Sequence, residues 1–381
     1  MDKSTILKKY GTDYINMTMS LLEVANLKNH IQDKDKCIAI KPNLVCPTPA
    51  SYGATTHPEV VEGIILYLQK YGFNNILIME GSWVGDKTQE AFEYCGYREL
   101  CERYNLEFVD TQKDKFHKVM CDGLELNICD CVDRADFMIN VPVLKGHCQT
   151  NITCALKNMK GLIPNTEKRH FHTMGLHKPI AHLSKGIKQD FIVVDHICGD
   201  LDFEEGGNPI KTDCVMVACD PVLLDSYVCK LLGYDLDQVP YVRLAAKIGS
   251  GSDDLESLKV KVLNEENQVI KEFSGDEDDP YENKTIVSGK MLEVSYAVED
   301  IDSCSACYAN LAPALYRLKE EGKLDKVYKK LGSRISIGQG NRGKTGTFGI
   351  GNCCMKFDNY VKGCPPKEDD IYEALCKFLN D

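Results

Sequence analysis

The sequence predicts an α/β protein: a mostly parallel sheet with flanking helices, plus a small Cys/Gly-rich C-terminal metal-binding α/β region. Three observations lead there. Short β-type runs alternate with helical stretches through the first 250 residues, the order of βαβ units whose parallel strands need helices to cover the sheet. From 251 to 300 the pattern changes to period-two segments separated by turns and an acidic run, which reads as antiparallel strands. Beyond about residue 300 the composition shifts towards cysteine and glycine.

In chain order, residues 1–34 read as an N-terminal helical segment, with 18–32 amphipathic. Residues 35–250 form the α/β core. Residues 37–41 are a strand ending in Lys41-Pro42-Asn43, and a Pro-rich loop at 46–54 leads to Thr56-His57-Pro58-Glu59. That is a helix start, with proline in the first turn and a carboxylate against the dipole. Gly72 stops the helix near Tyr71, and 75–79 form the next strand. Glu80 then falls at a strand's carboxyl end, where open α/β sheets gather ligands. Further strands are expected at 106–109, 137–141, 191–194 and 214–218. A hairpin turns at Asp122-Gly123, and two helices occupy 220–247. Residues 251–300 form a small antiparallel strand region built on 258–263 and 285–294, with 274–282 a solvated acidic loop. Asp302-Ser303 caps the first helix of the last region, 301–381.

The chain has 381 residues, 43% of them hydrophobic, and a net charge of −12. Its length suits more than one core. Its acidity opposes any general attraction to nucleic acid or anionic membranes. No stretch approaches the roughly 20 apolar residues that span a bilayer, and the first residues lack a signal-peptide run, so a cytoplasmic protein is expected. Nineteen cysteines, an odd number without a secretory leader, read as free thiols of a reducing cytosol such as an anaerobe's. Most sit singly in apolar surroundings and behave as small buried hydrophobes.

The last region is different. Cys304-Ser-Ala-Cys307 stands at a helix start, where the dipole favours thiolates. Cys353-Cys354 and Gly363-Cys364-Pro365-Pro366 follow, with glycines at 338, 340, 343, 346, 349 and 351 between. Such a segment brings backbone N–H groups close to a bulky cluster, and proline after the last cysteine also occurs in ferredoxin-type runs. The expected ligands are Cys304, Cys307, Cys353 and Cys364, with Cys354 the alternative to Cys353. A [4Fe–4S] cluster is the favoured cofactor, because a zinc ribbon usually pairs two short C-x-x-C knuckles. Zinc on four thiolates is the competing occupant.

Gly338 to Thr345 also matches the phosphate-loop pattern G-x-x-x-x-G-K-[ST]. That mechanism needs a helix directly after the lysine. Three glycines in the next six residues oppose one, and the chain is too short beyond for a nucleotide-binding sheet. The loop therefore reads as cluster wrapping.

Residues 145–182 are basic and histidine-rich: Lys145, His147, Lys157, Lys160, His170, His172, His177 and His182. The lysines suit an anionic ligand, and a histidine could serve as acid, base or metal ligand. The spacing of His170 and His172 would set both on one face of a strand. Asp195, Asp200, Glu204, Glu205, Asp220 and Asp225 are candidate opposing carboxylates, although Asp220-Pro221 more simply caps a helix.

The motifs Lys-Pro-Asn-Leu-Val at 41–45, Ala-Thr-Thr-His-Pro-Glu at 54–59, Met-Glu-Gly-Ser-Trp at 79–83, Val-Pro-Val-Leu-Lys-Gly-His at 141–147, Leu-Lys-Asn-Met-Lys-Gly at 156–161 and Ala-Cys-Asp-Pro-Val at 218–222 resemble the domain-of-unknown-function 362 family over roughly 35–250. The resemblance implies an iron–sulfur cluster-binding protein. Family members frequently carry a ferredoxin-like C-terminal domain with a tandem C-x-x-C-x-x-C run. This chain lacks that run, so it implies at most one cluster in another frame. The expected function is electron transfer to a substrate or partner bound at the strand ends near Lys41, His57, Glu80, Lys145 and His147. The partner would be a redox protein or a small anionic substrate. The alternative is a non-redox enzyme or binding module for a small anionic ligand, with a structural zinc site of four cysteines.

Overall fold

The computed structural model describes residues 1–282 and 290–380. Thirteen strands lie in the first part: β1 (Thr5–Tyr10), β2 (Ile38–Lys41), β3 (Ile76–Glu80), β4 (Glu107–Asp110), β5 (Phe116–Cys121), β6 (Leu124–Cys129), β7 (Phe137–Asn140), β8 (Lys145–His147), β9 (Asn151–Thr153), β10 (Phe191–His196), β11 (Cys214–Ala218), β12 (Lys259–Leu263) and β13 (Val269–Ser274). Nine of them form one sheet in the order β13-β12-β1-β11-β10-β7-β2-β3-β4. From β10 to β4 every pairing is parallel, as is β1 with β12, whereas β11 runs antiparallel to both neighbours and β13 to β12. The fold is α/β with a mostly parallel, helix-covered sheet.

Side-chain alternation assigns the two faces. Ile38, Ile40, Ile76, Ile78 and Ile139 enter one apolar core, and Ala39, Leu77, Met79 and Met138 enter the other. The helix Pro58–Lys70 covers the first face with Val60, Val61, Ile64, Ile65 and Leu68. It starts as its sequence dictates, with Pro58 in the first turn and Glu59 at the positive end of the dipole.

A second, smaller sheet follows, four parallel strands in the order β14 (Val298–Asp300), β15 (Ile335–Ile337), β16 (Phe348–Ile350) and β17 (Asn359–Val361). It has its own core, in which Leu311, Leu315, Val327, Ile337, Ile350 and Leu375 join sheet and helices. No helix directly follows Lys344; the next element is the strand β16, which removes the geometry a phosphate loop needs.

Several expectations fail at the edges of the core. The N-terminal segment contributes β1 to the middle of the large sheet, and the stretch expected to be one helix at 18–32 is two. The helices Tyr14–Ala25 and Leu27–Ile31 break at Asn26, whose φ is +55°. The strands after 251 extend the large sheet rather than forming one of their own. Residues 285–289 of the expected strand 285–294 lie outside the described residues, and Lys290–Ser295 is helical.

The acidic run is not fully solvated either. Lys8 is buried on β1 with its Nζ 2.6 Å from Asp279 and 2.8 Å from Glu282, both nearly inaccessible. A buried ammonium must be paired, so the loop folds back over the strand. Burial pushes the Glu282 carboxyl up, but His196 and Lys8 outweigh it and hold it well below the usual carboxylate range.

Candidate functional site

Lys41 and Glu80 end two adjacent parallel strands. The Lys41 ammonium donates to Glu80 Oε2 at 2.5 Å, to Pro42 O at 2.7 Å and to Asn158 Oδ1 at 3.3 Å. Glu80 also accepts the backbone N–H groups of Gly81 and Leu44 at 2.6 and 3.2 Å. The pair forms one wall of a cavity of about 590 Å³, counting its open mouth. Lys157, Lys160, Lys168, His172 and Glu204 complete the polar lining, and Val45, Trp83 and Val84 supply an apolar side. Burial pulls Lys160 down to about 7, with Lys157 adding to the effect, and Lys168 down to about 8 against the opposing pull of Glu80. The cavity lies at the carboxyl ends of parallel strands, the expected place.

The opposite wall comes from the C-terminal region. Cys304, Ser305 and Ala306 line the same cavity. They are the cap and first residues of the helix Ser305–Glu320. The Ser305 N–H donates to His172 Nε2 at 3.4 Å, and Gln149 Nε2 donates to Ser303 O at 3.2 Å. Both bonds tie this helix start to the α/β body.

Three of the five residues expected at the strand-end site do not line the cavity. Lys145 is fully buried and donates to Ala54 O at 2.9 Å and Glu204 O at 2.6 Å; it fastens the loop that carries Glu204. His147 places Nε2 2.8 Å from Glu204 Oε2. With Cys148 these residues are, among the described residues, the one group of three donors within 4.8 Å of one another. However, His147 Nδ1 accepts the N–H groups of Gln149 and Thr150 at 2.9 and 3.2 Å. The proton therefore sits on Nε2, facing the carboxylate, whereas a metal-ligating ring donates from its other nitrogen. That tautomer opposes a metal, yet His147 Nε2 and Glu204 Oε2 are both buried without a hydrogen bond, so the trio stands as a candidate metal position beside a close acid–imidazole contact.

His57 lies elsewhere. Its Nδ1 is 2.8 Å from Asp195 Oδ2, which also accepts the His57 N–H at 2.7 Å, and its Nε2 is 3.7 Å from Cys198 Sγ. Burial pulls the imidazole down, but the Asp195 carboxylate overrides this and raises it to about 10. A base raised above its unfolded value of about 6.5 stabilises the fold fully below that pH. The stabilisation declines above it and is gone once the pH passes about 10. The stability difference between the protein and its His57→Gln variant should therefore be largest at pH 6 and shrink steadily to pH 10, measured by urea unfolding. A constant difference would show that the ring is uncharged.

The other histidines do not gather. His170 and His172 lie on the helix Asn165–Thr173, not on a strand, so His170 is exposed beside Glu167 while His172 reaches the cavity. His177 stacks on Tyr241, and His182 donates to Cys121 O at 2.9 Å. Of the candidate carboxylates only Glu204 reaches the cavity. Asp200, Asp220 and Asp225 accept backbone N–H groups, and burial pushes Glu205 well up. Lys168 was missed by sequence reasoning. Its helix follows Pro164, a breaker that could have flagged it.

The four expected cysteines lie near one another, with no three of their sulfurs within 4.8 Å of one another. Each lies just past the carboxyl end of a strand of the small sheet: Cys304 and Cys307 after β14, Cys353 after β16 and Cys364 after β17. Burial pushes Cys304 up to about 11, and Cys353 and Cys364 are near enough to push it further. Cys307 rises by burial and by the same neighbours. Gly351, at φ +83°, sits where a Cβ would stand 3.7 Å from Cys307 Sγ, so a side chain there would enter the thiol cage. Arg342 hydrogen-bonds Cys353. Cys354 points the other way, fully buried, with its thiol donating to Ser336 O at 3.5 Å.

A helix-covered parallel sheet with buried charged side chains at its strand ends, closed by a module that brings four thiols near one another, defines an α/β protein with a candidate ligand cavity and a candidate metal centre. The chain belongs to the family described as Domain of unknown function (DUF362), whose signature matches residues 38–230. A thylakoid-associated protein of Synechocystis sp. is 23% identical over 242 residues, covering 60% of this chain and 73% of that protein. Among solved structures, the lactate racemase apoprotein of Thermoanaerobacterium thermosaccharolyticum aligns with a TM-score of 0.37 and 14% identity over 56% of this chain. A Thermotoga maritima protein aligns with a TM-score of 0.34 and 14% identity over 63%. The chain spans 54% and 60% of the lengths of these two structures. Among the described residues no helix is long and apolar enough to cross a membrane.

Proposed function

We propose that this protein is a redox-active iron–sulfur cluster-binding protein. Cys304, Cys307, Cys353 and Cys364 would hold a [4Fe–4S] cluster, and the strand-end cavity would hold the molecule that exchanges electrons with it. The observation that carries this reading is the position of Cys304, which belongs to the thiol cage and to the cavity wall at once.

The donor set fits the group. Zinc–sulfur bonds of about 2.3 Å arranged tetrahedrally space their sulfurs about 3.8 Å apart. No three of these four sulfurs come within 4.8 Å of one another. That wider cage suits a cube of iron and sulfide, whose thiolates stand at separate corners. Arg342 at Cys353, and Arg169 and Lys160 near Cys304, bring positive charge to the thiols of an acidic chain, which favours an anionic centre.

When bound, the cluster supplies one-electron transfer. The protein's own groups do the rest. The helix Ser305–Glu320 turns its positive end towards Cys304, and Arg342 donates a hydrogen bond to Cys353. Val45, Trp83 and Val84 keep part of the cavity dry. Protein purified without oxygen should be brown, with about four irons per chain and a broad absorbance near ~400 nm that dithionite bleaches. Colourless protein carrying one zinc per chain would overturn this reading in favour of a structural site of four thiolates.

A further inference from the structure

The cavity's charges do not cancel. Lys41 is matched by Glu80 at 2.5 Å and Lys157 by Glu204 at 3.0 Å. That leaves Lys160 and Lys168. Lys168 donates only to the carbonyls Gly81 O and Ser82 O, at 2.9 and 2.7 Å. Lys160 makes no hydrogen bond among the described residues, and its ammonium stands 6.0 Å from the centre of the Phe171 ring. Two lysine amines thus share one cavity with no carboxylate in ion-pair contact with either, and an anion that enters it would favour their charged forms. Lys168 is buried and Lys160 half-buried, and a cation kept from full hydration without a counter-charge is costly, so the site suits a charge that arrives with a ligand.

The remaining walls narrow the ligand further. His172 uses Nε2 to accept the Ser305 N–H, so its proton is on Nδ1 and the neutral ring is a donor, not a base, towards a neighbour. Val45, Trp83 and Val84 form an apolar face that an inorganic ion would leave unused. The volume, about 590 Å³ including the mouth, admits a small organic molecule.

We propose that this cavity binds a small organic carboxylate, with its carboxyl group on Lys160 and its apolar body against Val45, Trp83 and Val84. That this carboxylate is also the redox substrate rests on the iron–sulfur reading above; its binding does not.

The test is calorimetric titration of the full chain, purified without oxygen, with acetate, propionate and benzoate, and in parallel with benzamide and inorganic phosphate. At least one carboxylate should bind, and benzamide, which has the shape of benzoate without its charge, should not. Lys160→Met should weaken carboxylate binding at least tenfold and Lys160→Arg should restore most of it, with the melting temperature of both variants held within a few degrees. Lys118→Met, on the exposed β5–β6 hairpin, should change nothing. Binding of none of the three carboxylates, equal binding of benzoate and benzamide, phosphate binding alone, or an unchanged affinity in Lys160→Met would each overturn the proposal. The titration is repeated after the metal has been removed by chelation. Carboxylate binding should persist after iron removal, since it does not depend on the cluster; protein that as purified without oxygen holds no iron yet binds a carboxylate sinks the redox reading and leaves this one standing.

Discussion

Cys353→Ala should lose most of its iron and at least half of its absorbance near ~400 nm, whereas Cys354→Ala should keep both. The two residues are adjacent and chemically identical, so only their orientation separates them. Gly351, with φ +83°, turns the chain into the short helical turn Asn352–Cys354. That turn presents Cys353 to Arg342 and to the other three thiols. Cys354 is rotated under the small sheet, where a Cβ on Gly349 would lie 2.2 Å from its own Cβ and its thiol donates to Ser336 O. On the proposed reading, removing Cys353 takes away one of the four ligands, and a site short of one ligand holds its metal more weakly. Removing Cys354 deletes a small buried group and should cost about 1–2 kcal/mol of stability, with no change in metal. Anaerobic purification with iron determination and visible spectra reads both variants. Iron retained in Cys353→Ala and lost in Cys354→Ala would exchange the two assignments.

The second large effect lies at Lys41. Its side chain is fully buried, and it holds Glu80, itself almost inaccessible, at 2.5 Å. Lys41→Met leaves that carboxylate buried with only backbone donors. Breaking one side of a buried pair typically costs about 3–5 kcal/mol, so the denaturation midpoint should fall steeply. The double variant Lys41→Met/Glu80→Met should recover most of the loss, because matched apolar groups replace a matched ion pair. Gly161 makes the same demand from outside: a Cβ there would stand 2.0 Å from Glu80 Oε1 and 2.7 Å from Lys41 Nζ. A Lys41→Met variant within about 1 kcal/mol of the parent in urea unfolding would mean that the pair does not organise the strand ends.

The central strands were legible because both faces of the sheet are covered. Residues such as Ile38, Ala39, Ile40 and Leu77 must then be apolar without interruption. The strand β1 was not legible, because Lys8 and Lys9 interrupt its apolar run. Their partners, Asp279, Glu282 and Asn267, come from more than 250 residues away. The same reason hid the fate of the acidic loop. At the site, Lys41 and Glu80 could be placed because strand ends follow from strands. His57 and Lys145 also flank strands, yet they turn to Asp195 and to backbone carbonyls instead of the cavity. A strand boundary fixes where a residue stands, not the direction its side chain takes.

Local sequence by itself determined the βαβ order, the helix start at Pro58, the family and the spacing of the thiols, whereas the cap expected at Asp302-Ser303 falls instead at Cys304 and the strand expected at His170 and His172 is a helix. Only the tertiary structure decided that Cys353 and not Cys354 faces the cage, that Lys160 and Lys168 are left without carboxylates, and that Cys304 closes the cavity. Those outcomes depend on contacts between segments distant in the chain, where burial makes charge and direction costly enough to choose one arrangement.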